Sequence, residues 1–178
     1  MQKTDIPSIE QCCELMKEHM LPNIYEHSVQ VMTVAKAVTE NLVNSIDLDI
    51  RLIITASLLH DIYKTKSLTT KEPHDLAGGR FMRELGFNSV AEIVEEHVIL
   101  KNYNPADVLC EKEIVYYADK RVMHEKIVSV QERMDDIIQR YGKNSGIIDI
   151  IRINTALIFE VEKKINKFSV KDVTELFG

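Results

Sequence analysis

Apolar residues recur at intervals of three and four along almost the whole chain, and strict apolar–polar alternation is nearly absent. That period matches one face of a helix and does not suit a sheet, whose side chains alternate every two residues. Only six glycines and four prolines interrupt it in 178 residues. The chain is therefore predicted to be all-α, a compact helical bundle. No low-complexity stretch, repeat or long linker divides the sequence, so residues 1–178 are expected to form one domain. A chain of this length buries roughly 70% of its unfolded surface and needs no covalent staples. The three cysteines agree: Cys12 and Cys13 are adjacent, Cys110 is remote, and no C-x-x-C spacing occurs. They read as buried thiols of a protein in a reducing cytoplasm.

Several functions are disfavoured at once. Asp5 and Glu10 stand where an export signal would need an apolar core. Nowhere do 18 apolar residues run without a charge, which argues against a membrane span. The net charge is −6 and the Lys and Arg residues are scattered, which argues against a nucleic-acid partner. A small phosphorylated substrate, met by a few local cations, stays compatible.

In chain order, Pro7-Ser8 opens a helix to about His19, and Pro22 opens a longer one to about Asn44 with Ile24, His27, Val31, Val34 and Val38 on its apolar stripe. Asp47 or Asp49 caps a third helix, predicted to run past Asp61. Thr65 to Pro73 is polar and is expected to be a loop, followed by a helix from His74 to Leu85 stopped by Gly86. Asn88 or Ser89 caps the next helix, with Val90, Ile93, Val94 and His97 on one face. A helix from Glu111 is expected to present Ile114, Ala118, Asp119, Val122 and Met123 together. Helices over about 129–141 and 145–167 close the chain as supporting scaffold, the second with a Glu160–Lys164 pair.

The third helix carries the chemistry. An apolar run from Leu52 ends in His60-Asp61, and burying an imidazole beside a carboxylate is costly unless something compensates both. A second dipeptide, His74-Asp75, opens a helix, where an acidic residue is favoured by the helix dipole. Asp61 lies at the opposite end of its helix, where the dipole disfavours it, so a positive partner is expected there. His27, His60, His97 and Asp119 fall on or beside apolar stripes of separate helices, as bundle-core metal ligands do. His19 and His124 have no place in this pattern.

The order His27 … His60-Asp61 … Asp119 resembles the H…HD…D signature of the HD-domain superfamily of metal-dependent phosphohydrolases. The local wording agrees in Tyr25-Glu26-His27-Ser28, Leu58-Leu59-His60-Asp61-Ile62-Tyr63-Lys64 and Tyr117-Ala118-Asp119-Lys120. The resemblance covers about residues 22–125, with residues 126–178 as additional C-terminal helices. Tyr63 departs from it, since many relatives have glycine there.

The resemblance implies a first metal held by His27, His60, Asp61 and Asp119. It also implies a second shared through Asp61 with His74 and His97, as in the two-metal branch. Imidazole and carboxylate without thiolate suit iron or manganese, with cobalt, zinc or magnesium as further candidates. Such a pair of divalent ions activates water and neutralises charge developing on phosphorus. The implied reaction is hydrolysis of a phosphomonoester or phosphoanhydride of a nucleotide or related small molecule, with Asp61 and Lys64 as catalytic residues. Lys64, four residues after His60, is expected to project from the same face toward the phosphate. Lys120 is a further candidate contact, and Arg121, about 200° round the helix from Asp119, is expected to be structural. Glu95 and Glu96 beside His97 are candidates to orient its ring. Two other functions are compatible with these residues: a di-iron oxygenase of the same superfamily, and a non-catalytic domain that binds a nucleotide.

Overall fold

A computed structural model describes residues 5–44 and 46–177. It is helical apart from one two-stranded hairpin. The elements are α1 (Ile9–His19), α2 (Pro22–Glu40), α3 (Ile50–Leu59), α4 (Lys64–Thr70), α5 (His74–Glu84), α6 (Asn88–Val94) and α7 (Glu111–Asp119). After them come β1 (Val122–Met123), β2 (Lys126–Ile127), α8 (Val130–Tyr141), α9 (Ser145–Asn166) and a terminal 3-10 turn, Val173–Phe177.

Local chemistry sets the helix starts. Ser8 and Gln11 form a reciprocal capping box on α1, Pro22 occupies the first turn of α2, and the Asp49 carboxylate accepts from the amides of Arg51 and Leu52 on α3. Helix α6 is capped from a distance: the Asp5 carboxylate accepts from the amides of Asn88 and Ser89 at 2.7 and 3.1 Å. One apolar core runs from Cys12 and Met16 of α1 through α2, α3, α6 and α7 to Ile158 and Val161 of α9. Helix α3 lies at its middle, with residues Thr55 to Leu59 all buried. No described helix is long and apolar enough to cross a membrane.

Four expectations are corrected. Thr65–Pro73 is not a loop, because α4 fills most of it before Lys71 turns left-handed at φ 63°. This helix has no buried residue, so it shows no apolar stripe and resembles a loop in composition. Helix α3 stops at Leu59, and His60 and Asp61 sit in the turn after it. Helix α2 ends at Glu40 because the next residues pair elsewhere: Leu42 bridges Ser169, and the Asn41 carbonyl accepts from Val170 at 2.8 Å. Helix α7 ends at Asp119, and Val122 and Met123 pair with Ile127 and Lys126 around a left-handed His124.

Helix α5 approaches α6 closely. A Cβ on Gly79 would run into the Glu95 side chain, so any larger residue at this crossing has to displace Glu95. Glu95 is itself held there by the Arg83 guanidinium.

Candidate metal centre

Five elements converge on one buried cluster. His27 comes from the middle of α2 and Asp119 from the last residue of α7. His60 and Asp61 come from the turn after α3, His74 from the first residue of α5, and His97 from the bend after α6. His60, Asp61 and His97 are at most 2% exposed. His74 is half-buried and stands at the mouth.

The donor atoms form two groups hinged on Asp61. Its Oδ2 lies 3.4 Å from His60 Nε2 and 3.9 Å from His27 Nε2. Asp119 Oδ1 completes this side at 3.1 Å from His27 Nε2 and 3.7 Å from His60 Nε2. The other oxygen, Oδ1, lies 3.2 Å from His74 Nε2 and 3.5 Å from His97 Nε2, and those two nitrogens are 3.2 Å apart. His27, His60 and Asp61 form one set of donors able to hold an ion, and Asp61, His74 and His97 form another.

Backbone carbonyls orient the rings. Nδ1 of His27 donates to the His124 carbonyl at 2.9 Å, that of His60 to Ser57 at 2.7 Å, and that of His97 to Val94 at 2.7 Å. A carbonyl can only accept, so each Nδ1 carries the proton and a neutral ring turns its Nε2 lone pair inward. Those lone pairs face carboxylate oxygens and one another. His60 Nε2 and Asp61 Oδ1 are buried with no hydrogen-bond partner, an arrangement that calls for a cation among them. Ligand atoms sharing an ion at bond lengths of about 2.1 Å stand roughly 3.0–3.5 Å apart, and most of these separations are of that order. The residues therefore fit a divalent metal.

Both carboxylates are held ionised. Burial alone would push the Asp61 carboxyl up, but the Lys64 ammonium foremost outweighs it and holds its pKa well below the ordinary value. Asp119 behaves likewise, with burial outweighed foremost by the Lys120 ammonium. Burial lowers His97 to about 4 against the opposing pull of Asp61. Its Nε2 is thus free of a proton at neutral pH.

The surroundings sort the remaining expectations. Lys64 opens α4 and donates to Asp61 Oδ2 at 2.6 Å, so it is the positive partner expected beside Asp61. Lys120, 5% exposed, donates to Asp119 Oδ2 at 2.6 Å and to the His97 carbonyl at 2.7 Å, tying the two groups together. Arg121 is structural, bonded to the Val128 carbonyl and the Tyr117 hydroxyl. Glu95 pairs with Arg83 and Glu96 with Lys112, so neither orients His97. The Glu160–Lys164 pair does not form: Lys164 turns inward to Glu113 Oε1 at 2.8 Å, and Glu160 takes Lys163.

A cleft of about 550 Å³ opens over Asp61, His74, His97 and Asp119. Its walls carry the cations Lys64, Lys71, Lys120, Arg133 and Arg140 against the carboxylates Asp61, Glu72 and Asp119. It is thus a locally basic cleft in an acidic chain. Sequence reasoning missed Arg133 and Arg140, whose i,i+3 and i,i+4 spacing to Asp136 reads as ordinary surface pairing.

Such a cluster, built on a helix-terminal His-Asp pair and completed by neighbouring helices, defines a helical domain with donors for divalent metal. The chain belongs to the HD domain family, whose model matches residues 24–123. That membership places it in a superfamily of metal-dependent hydrolases. The chain is 28% identical over 151 residues to an uncharacterized protein of Methanocaldococcus jannaschii, covering 77% of this chain and 86% of that protein. It is also 28% identical over 145 residues to a tRNA (cytidine(56)-2'-O)-methyltransferase of Picrophilus torridus. That match covers 73% of this chain but only 40% of the methyltransferase. No solved structure matches the chain.

Proposed function

We propose that this protein is a metal-dependent phosphohydrolase that cleaves a phosphomonoester or phosphoanhydride of a nucleotide or related small molecule. The observation that carries the reading is the sharing of Asp61 by two donor groups beneath a basic cleft. His27, His60, Asp61 and Asp119 would hold one ion, and Asp61, His74 and His97 a second. When bound, divalent ions supply Lewis acidity toward a phosphoryl oxygen and lower the pKa of water.

The chain's own residues do the rest. The backbone carbonyls of Ser57, Val94 and His124 fix the imidazole rings so that Nε2 points inward. Lys120 holds the Asp119 carboxylate in place. Lys64, with a third of its side chain exposed to the cleft, is placed to meet the non-bridging oxygens of a phosphoryl group as their charge redistributes. Half-buried His74 leaves the cleft side of the second group accessible. The basic walls suit the phosphoryl group this reaction requires, which favours it over oxygenase chemistry on a neutral substrate.

The test is a screen of phosphorylated small molecules with protein purified without chelators and supplied with divalent ions. Turnover is expected to vanish with chelation and return on adding metal. Lys64→Met keeps the apolar stem and should lower kcat/KM by about 10–1,000-fold at unchanged metal content, the scale of losing one charge-stabilising group. Unchanged kinetics would remove Lys64 from the reaction. An oxygen-dependent absorption change of the iron form, without phosphate release, would replace the hydrolase by the oxygenase.

A further inference from the structure

Helices α8 and α9 supply no residue to either donor group, yet they build much of the cleft wall. Two buried donors in that cleft have no partner. Arg133 of α8 is 8% exposed, and while its Nη1 donates to Asp136 Oδ2 at 3.1 Å, its Nε meets no acceptor. Asp136 is also claimed by Arg140, so one carboxylate serves two guanidinium groups. On α4, Ser67 is half-buried, and its hydroxyl oxygen is enclosed without a partner. Ser67 lies three residues after Lys64, on the same face of the helix. A buried guanidinium nitrogen left without an acceptor is unfavourable, and a guanidinium with a free donor beside its existing partner selects phosphate or carboxylate.

Beside these donors the wall turns apolar. Ile137 and Tyr141 follow Arg133 at helical spacing on α8, and Ile150 comes from α9. Tyr141 and Ile150 are exposed in the cleft, at 53% and 60%. A large exposed aromatic and an exposed isoleucine at one cleft mouth form a surface for a flat apolar group.

We infer that Arg133 and Ser67 form an anion-binding subsite, and that Tyr141, Ile137 and Ile150 form an adjoining platform for an aromatic or apolar group. The substrate class is then a phosphate ester with a flat organic body, rather than inorganic polyphosphate or the phosphate of a bare polyol. The ester part of this statement rests on the hydrolase reading. The anion subsite and the platform do not.

The experiment is calorimetric titration of the full, metal-loaded chain with phenylphosphonate, which cannot be hydrolysed at its P–C bond, and with inorganic phosphate. Phenylphosphonate should bind about tenfold or more tightly than phosphate, from burial of one aromatic ring. Arg133→Met should weaken both ligands by about tenfold or more, the scale of a charge-assisted hydrogen bond, with partial recovery in Arg133→Lys. Ser67→Ala provides a milder version of the same readout should Arg133→Met fail to fold. Ile150→Gln, at an exposed position, should lower phenylphosphonate affinity and leave phosphate unchanged. Equal affinities for the two ligands in the wild type, no binding of either, or full affinity in both Arg133→Met and Ser67→Ala would each overturn the inference. Binding through Arg133 without turnover of any phosphoester would sink the hydrolase reading alone. Turnover unaffected by Arg133→Met would sink the subsite alone.

Discussion

The two donor groups share one carboxylate and no other residue, so removing one group has a defined consequence for the other. Replacing His74 and His97 by alanine deletes the side facing Asp61 Oδ1. It leaves Oδ2 with His27, His60 and Asp119. The expected result is a fall from close to two bound ions per chain to one. The thermal consequence follows from mass action: an ion held at 100 times its Kd stabilises the folded state by about 2.7 kcal/mol. For a chain of this length 1 kcal/mol moves Tm by about 2–4 °C. Each ion should therefore raise Tm by roughly 5–11 °C.

The wild type should gain about twice that increment on metal addition, and the double variant about one. His97 is 2% exposed, and its removal leaves a void that lowers Tm by itself. The metal-dependent increment, read by differential scanning calorimetry alongside elemental analysis, is therefore the quantity to compare. Asp61→Asn, which weakens both groups together, should lose most of the increment. The shared-carboxylate reasoning is refuted if the double variant keeps the full wild-type increment, loses all of it, or if the wild type gains none.

Other outcomes follow from single sites. Asp61→Ala should abolish turnover with the helical circular dichroism intact. Asp75 lies in the first turn of α5 and acts only through the helix dipole, so Asp75→Ala should cost about 0.3–1 kcal/mol and keep activity; equal inactivation of the two would mean the wrong dipeptide had been chosen. Lys164→Met strands the buried Glu113 carboxylate and should cost about 3–5 kcal/mol in urea unfolding; adding Glu113→Gln should recover much of it, and a neutral single variant would show the pair to be idle. Burial pushes the Cys12 thiol up to about 12, so at pH 8 almost none of it is thiolate; mass spectrometry should find Cys12 unalkylated by iodoacetamide until the chain unfolds.

The sequence was legible wherever a residue's own type clashed with its setting. His27 and Asp119 stand out because they interrupt apolar stripes, and His60-Asp61 because it ends an apolar run at the unfavourable end of a helix dipole. What stayed hidden has a different physical character. The groups that orient the histidines are the carbonyls of Ser57, Val94 and His124, and a carbonyl belongs to every residue, so it leaves no mark in composition. His124 illustrates the point: its ring has no place in the donor cluster, yet its backbone, left-handed at φ 57°, fixes His27.

Helix α4 was hidden because it packs no apolar face, and Arg133 because Asp136 gives it an ordinary local partner. Lys164 was misassigned because Glu160, one turn away, is the nearer candidate in sequence, while Glu113 is brought to it by the packing of α7 on α9. The two kinds of information divide along a physical line. Residues that bear charge into the core are chosen by side-chain chemistry, which sequence records. The cleft that selects what meets them is made by the relative placement of α4, α8 and α9, and there the signal lies in donors such as Arg133 Nε and Ser67 Oγ that the fold buries without partners.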